Sequence, residues 1–263
     1  MKAISCAVAL ICLGLPSTLF AVGFAHDETF IIYAPDQALA DQVLAKAQEF
    51  RAAEAKDLLG KELQPREGRT IITVAVSATE DSGFTWPIDH PDRKFHSMWL
   101  TTSRERAAGS TLRHEIRHVV LNTGFPDRLP LWIEEGLASR SDNAEHQRVW
   151  RKTATAFSQS GWPDIHSLME VKLIHSTDQA TYGASTSLVN YLLTRGDMSK
   201  LLQFAVTGKK SGWDSALDQC YGIRSLREFE SQWHAWVGQE GTHARAPAPL
   251  HDEARQQGAP QEL

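Results

Sequence analysis

An α+β fold is what this chain predicts: a small N-terminal sheet, a helix carrying His114-Glu115-Ile116-Arg117-His118, and then a mainly α-helical part. Three observations predict it. The β-branched runs, Thr29-Phe30-Ile31-Ile32-Tyr33, Thr70-Ile71-Ile72-Thr73-Val74-Ala75-Val76 and Ser97-Met98-Trp99-Leu100-Thr101-Thr102, all precede the His-Glu string. Around that string Leu112, Ile116, Val119 and Val120 recur at helical spacing. After it, the chain reads as a succession of helices.

From the N-terminus, Lys2 precedes a charge-free stretch reaching Ala25, with an apolar heart at 7–15, a Pro16-Ser17-Thr18 break and small residues at Gly23 and Ala25. This is the pattern of an export leader. Cleavage after Ala25 is the first reading and after Ala21 the second; retention as a membrane anchor is the alternative. The expected organisation is a leader over 1–25, one folded domain over 26–238 and a flexible tail over 239–263, in a periplasmic or secreted protein. No other stretch is apolar and long enough to span a membrane.

Within the domain, the strand at 29–33 leads into 36–59, rich in Ala, Leu, Gln, Glu and Lys, which suits a helix ended by Gly60. The strand at 70–76 carries the strongest β signal, and 97–102 is the next; the segment between them reads as a polar loop. Asn122-Thr123-Gly124 followed by Pro126 stops the central helix. Further helices are expected at 144–158, 185–193, 198–206 and 225–236, the last with Trp233 and Trp236. Beyond Gly238 the chain turns Gly-, Pro-, Ala- and Gln-rich and loses apolar period.

The His-Glu-x-x-His string is the feature with chemistry in it. With 11 His and 17 Glu in 263 residues, chance would supply about 0.03 such strings. Residues four apart share a helix face, so His114 and His118 can reach one zinc ion while Glu115 turns toward the same side. Zinc lowers the pKa of a bound water and Glu115 is placed to take its proton. A third protein ligand is still needed. Downstream runs Leu129-Pro130-Leu131-Trp132-Ile133-Glu134-Glu135-Gly136-Leu137-Ala138, a second helix with Pro130 at its start and two glutamates in its early turns, one of which can complete the site. The metzincin pattern H-E-x-x-H-x-x-G-x-x-H is excluded, since Leu121 and Gly124 stand at its Gly and third His.

The two motifs together resemble the gluzincin metallopeptidases, and more narrowly the peptidase-MA-like domains, in which H-E-x-x-H is followed by W-x-x-E-G-h-A with h apolar. His114 to His118 match the first and Trp132 to Ala138 the second. The resemblance implies a zincin-like fold, one zinc ion held by His114, His118 and Glu135, and hydrolysis of peptide or protein substrates. It also implies that Tyr182, in Ala180-Thr181-Tyr182-Gly183, donates a hydrogen bond to the tetrahedral intermediate. As in gluzincins, the 97–102 strand is expected at the sheet edge beside the metal helix, open to an extended peptide. Two departures stand out. The aminopeptidase motif G-x-M-E-N is absent, so an endopeptidase is the expectation, and Ser139 stands where thermolysin-like enzymes place a carboxylate behind a zinc histidine. Asp142 and Glu134 are the candidates to replace it. The competing expectation is a zinc-binding protein of this fold with an envelope binding or scaffolding task.

Composition bounds the rest. A formal net charge of −5, one more negative without Lys2, gives no support to nucleic-acid binding. Cys6 and Cys12 lie in the leader, so Cys220 would remain alone, expected as a buried inert thiol. His90, His96, His166 and His175 are read as surface or loop histidines, with substrate contact as the alternative. The sequence does not define an oligomeric state.

Overall fold

The computed structural model describes residues 22–90, 93–175 and 177–240. The leader expected at 1–25 lies outside the described residues up to position 21, and so does the tail from 241.

Five strands form one mixed sheet: β1 (Gly23–His26), β2 (Phe30–Ala34), β3 (Arg69–Val76), β4 (Ser82–His90) and β5 (Arg93–Thr102). Their spatial order is β1-β2-β3-β5-β4. The central pairs β2/β3 and β3/β5 are parallel, and the outer pairs β1/β2 and β4/β5 are antiparallel. Parallel neighbours need a crossover, and α1 (Gln37–Leu59) supplies the one between β2 and β3. Asp36 caps its start by accepting from the Leu39 N–H, and Gly60 ends it in the left-handed region at φ 65°.

The sheet buries one face. Phe30, Ile32, Ile72, Met98 and Leu100 are almost fully buried against α1 and α2 (Ser110–Gly124). The predicted stripe of α2, Leu112, Ile116, Val119 and Val120, is wholly buried in the same core. Then follow α3 (Leu131–Ala138), a 3-10 turn (Ser139–Ser141), α4 (Ala144–Ser160), α5 (Ile165–Met169), α6 (Gln179–Thr194), α7 (Met198–Ser211), α8 (Trp213–Tyr221) and α9 (Leu226–Glu240). An α+β architecture with a small N-terminal mixed sheet and a helical C-terminal part is therefore observed.

Several expectations need correction. The polar loop between residues 76 and 97 contains β4, whose Gly83-Phe84-Thr85-Trp86 alternates small or β-branched with aromatic side chains. As a result β5 is an interior strand, paired on both sides, and β4 is the edge; Pro87, which cannot donate to a ladder, sits on that edge strand. His96 is buried at 2% exposure in β5, not at the surface. Strand β1 straddles the boundary after Ala25: Gly23 pairs with Ala34, and Ala25 lies in the core. Helix α9 runs through Gly238 to Glu240, since burial of Trp233 and Val237 outweighs the roughly 1 kcal/mol that glycine costs inside a helix. Cys220 is half-buried; burial pushes its thiol up, with Lys200 and Thr207 opposing.

Candidate metal centre

Helix α2 brings His114, Glu115 and His118 to one side, and α3 presents Glu134 and Glu135 to it. The approach of the helices is fixed by atoms around them. A Cβ on Gly136 would lie 2.6 Å from the Ser185 carbonyl oxygen and 2.6 Å from Val189 Cγ2 on α6, so α3 seats against α6 only with glycine there. On the other flank, Arg117 donates from Nη1 to the Leu137 carbonyl at 2.8 Å and from Nη2 to Asp57 at 2.7 Å, while its Nε lies 2.5 Å from the fully buried Glu54. This guanidinium ties α1, α2 and the end of α3 together.

The three expected ligands converge. His114 Nε2 and His118 Nε2 are 3.2 Å apart, and Glu135 Oε2 is 3.7 Å from the first and 3.6 Å from the second. Among the described residues this is the one His, Cys, Asp or Glu group compact enough to hold a metal ion. Ligands about 2.0–2.1 Å from a tetrahedral zinc stand about 3.4 Å from one another. The triangle has that size. Glu135 Oε2 is also buried with no hydrogen-bond donor among the described residues, an acceptor in need of a positive partner. Two imidazoles and one carboxylate are a donor set zinc favours, and the residues fit the ion.

The outer nitrogens are held as well. His114 Nδ1 is 2.8 Å from Asp142 Oδ1, and Asp142 Oδ2 accepts from Trp150 Nε1 at 2.8 Å. His118 Nδ1 is 3.0 Å from Glu134 Oε1, which also accepts from Asn122 Nδ2 at 2.8 Å. Both replacements considered for the missing carboxylate at Ser139 are thus in use, one for each ring, and Glu134 is buried, not facing solvent. Burial pulls the pKa of His114 down, but Asp142 and Glu135 outweigh it and raise it to about 10; His118 is raised well above its ordinary value, Glu135 and Glu134 overcoming burial. For Glu135, burial disfavours ionisation, yet the two rings hold its carboxyl well below the usual range. Negative charge on the surrounding carboxylates is what favours the protonated rings.

Glu115 is buried and accepts from the Thr85 hydroxyl at 2.6 Å through Oε2. Gly83, two positions earlier on β4, lies so close that a Cβ there would stand 2.6 Å from Glu115 Oε1. Tyr182, in the first turn of α6, stacks on Trp150 with centroids 5.3 Å apart. Burial together with Glu135, Glu115 and Asp142 raises its pKa well above that of an ordinary phenol, so it keeps its proton. His114, His118 and Glu135 are therefore gathered in one place, with Glu115 on the same helix as the two rings and Tyr182 linked to them through Trp150, which donates to the Asp142 behind His114. Thr85, Gly83, Asn122 and Trp150 were not foreseen. Asn122 was within reach, four positions after His118 on one helix face; the period-two pattern of β4 was the available signal for Thr85.

Comparison with known protein families and with curated proteins finds no match for the chain.

Proposed function

We propose that this protein is an exported zinc-dependent endopeptidase of gluzincin type, with zinc held by His114, His118 and Glu135. The observation that carries the reading is the triangle of ligand atoms with 3.2, 3.6 and 3.7 Å sides, closed by a buried carboxylate oxygen that has no hydrogen-bond donor among the described residues. Zinc, when bound, supplies Lewis acidity and a water of lowered pKa. Glu115 Oε1 or Oε2 takes the proton of the attacking water and passes it to the leaving amine. The Thr85 hydroxyl steadies that carboxylate by a bond to Oε2. Asp142 and Glu134 hold the two rings with Nδ1 turned outward and Nε2 inward. Tyr182, kept protonated and braced on Trp150, donates to the developing oxyanion.

The test is peptide-library cleavage by the zinc-loaded protein beside its Glu115→Gln form. The variant is expected to retain one zinc per chain by elemental analysis and to lose activity by about 10²–10⁴-fold. Equal cleavage by both forms, or none by the zinc-loaded wild type, would leave the binding or scaffolding alternative in its place. His118→Ala is expected to lose stoichiometric zinc.

A further inference from the structure

The sheet has a second face, and among the described residues helices cover only the first. Across that open face Phe24, Tyr33, Thr73, Trp99 and Phe84 stand in one register row, strand by strand from β1 to β4. Phe24 is 44% exposed, Tyr33 42%, Trp99 46% and Phe84 54%, with Trp86, also 54% exposed, one step further along β4. The rings contact one another: Phe24 and Tyr33 centroids are 5.5 Å apart, Phe84 and Trp99 6.0 Å, Phe84 and Trp86 6.1 Å. No Lys, Arg, Asp or Glu belongs to the row, and the nearest row holds His26, Ile31, Ile71, Ser97 and Trp86. A contiguous aromatic surface of this kind, with charge kept off it, is uncommon on a soluble face and marks a contact surface.

Where the preceding chain meets the fold indicates the occupant. Residues 3–21 carry no charged side chain, and they run straight into Val22, 65% exposed, and then into β1, whose Phe24 begins the row. Kept as the membrane anchor that its composition allows, this apolar segment would deliver β1, and the row with it, to the headgroup region. Tryptophan, tyrosine and phenylalanine without charge are the side chains that region favours.

We propose that the open face of the sheet docks on a lipid bilayer surface, with Phe84, Trp86 and Trp99 entering the headgroup layer. Docking itself needs neither zinc nor catalysis. Together with the peptidase reading, docking has one consequence: β4 turns Thr85 toward Glu115 and its neighbours Phe84 and Trp86 the other way, so the candidate centre would sit about 10 Å, one sheet-to-layer spacing, above the lipid and meet polypeptides held there.

The test uses the full-length chain, expressed with its own residues 1–21 and taken in whatever processed form the cell yields, mixed with phosphatidylcholine vesicles brominated at shallow acyl positions. Trp86 and Trp99 are two of eight tryptophans, so quenching of about a quarter of the emission is expected. The Trp86→Phe/Trp99→Phe variant keeps aromatic rings at both positions and should lose most of that quenching with unchanged circular dichroism and zinc content. Absence of vesicle-dependent quenching overturns the proposal. So does quenching that survives in the variant, protection of Trp86 and Trp99 by a glycan instead of lipid, or sedimentation as a dimer that shields them. Because emission is read without turnover, failure here leaves the peptidase reading standing, and failure of that reading leaves this result intact.

Discussion

The Thr85 hydroxyl donates to Glu115 Oε2 at 2.6 Å, joining the edge strand of the sheet to the proposed general base across 30 residues of sequence. A carboxylate that accepts a hydrogen bond is held in one rotamer. Thr85→Val keeps the shape and removes the donor. Zinc content should not change, while kcat for a peptide substrate falls about tenfold, a loss of about 1.4 kcal/mol of transition-state stabilisation. Thr85→Ser should restore most of it. Loss of zinc in Thr85→Val, or a rate equal to wild type, would show that the bond does not serve Glu115.

Gly136 belongs to the second motif for a packing reason. A methyl group there meets the Ser185 carbonyl and Val189 Cγ2 at 2.6 Å, too close for either to stay in place. Gly136→Ala should push α3 from α6, lowering stability by about 1–3 kcal/mol and carrying Glu135 off the two rings. Thermal melts of metal-free and zinc-loaded protein test both parts together: a lower melting temperature in each, and a smaller rise on adding zinc. An unchanged zinc increment would mean that Glu135 holds position independently of this contact.

Much of this was readable from residue order. The His-Glu-x-x-His helix was legible because helical spacing puts His114 and His118 on one face, and their stripe of Leu112, Ile116, Val119 and Val120 identifies the buried side. Helix α1 announced itself through its composition and Gly60, and the helices expected at 144–158 and 198–206 fall within α4 and α7, the latter running on to Ser211. What failed was long-range pairing. Strand β4 contains glycine, proline and four polar side chains, and only its partnership with β5 makes it a strand; the same tertiary override hid β1 under the leader. The buried ion cluster of Glu54, Arg113 and Arg117 was likewise invisible, because each residue alone reads as part of a solvated helix face and the burial comes from α1 meeting α2.

Asp142 and Glu134 divide between them the support of the two rings, so each should govern metal affinity without touching the metal. Removing such a partner commonly weakens binding 10–100-fold. Asp142→Ala also strips Trp150 Nε1 of its acceptor and frees the ring on which Tyr182 stacks. It should therefore lower kcat at saturating zinc as well, whereas Glu134→Ala should act on zinc affinity alone, with Asn122 keeping its bond to the His118 carbonyl. Competition with a chromophoric chelator gives the affinities, and kcat measured in excess zinc separates the two variants. Identical kcat values would dissociate Trp150 and Tyr182 from the reaction.

Protons and zinc compete for the same ring nitrogens, and the direction of that competition is set by the carboxylates around them. In the metal-free protein His114 has its pKa raised from 6.5 to about 10, Asp142 and Glu135 overcoming burial, and His118 moves the same way. A folded state that binds a proton more tightly than the unfolded chain draws stability from it. That contribution is complete below about pH 6.5 and disappears as pH climbs through about 10. Glu135 works in the opposite sense: its depressed pKa contributes above the ordinary value of 4.5 and is lost in acid. Chelator-treated protein should accordingly melt about 5 °C or more lower at pH 10 than at pH 7. Zinc-loaded protein needs the same imidazoles neutral, so it should keep its melting temperature over that interval and lose metal, activity and stability together in acid. Histidine Cε1–H resonances followed through the metal-free titration give the decisive measurement. Midpoints near 6.5 for His114 and His118, with a flat melting profile from pH 7 to 10, would mean that Asp142, Glu134 and Glu135 do not form the negative pocket described above.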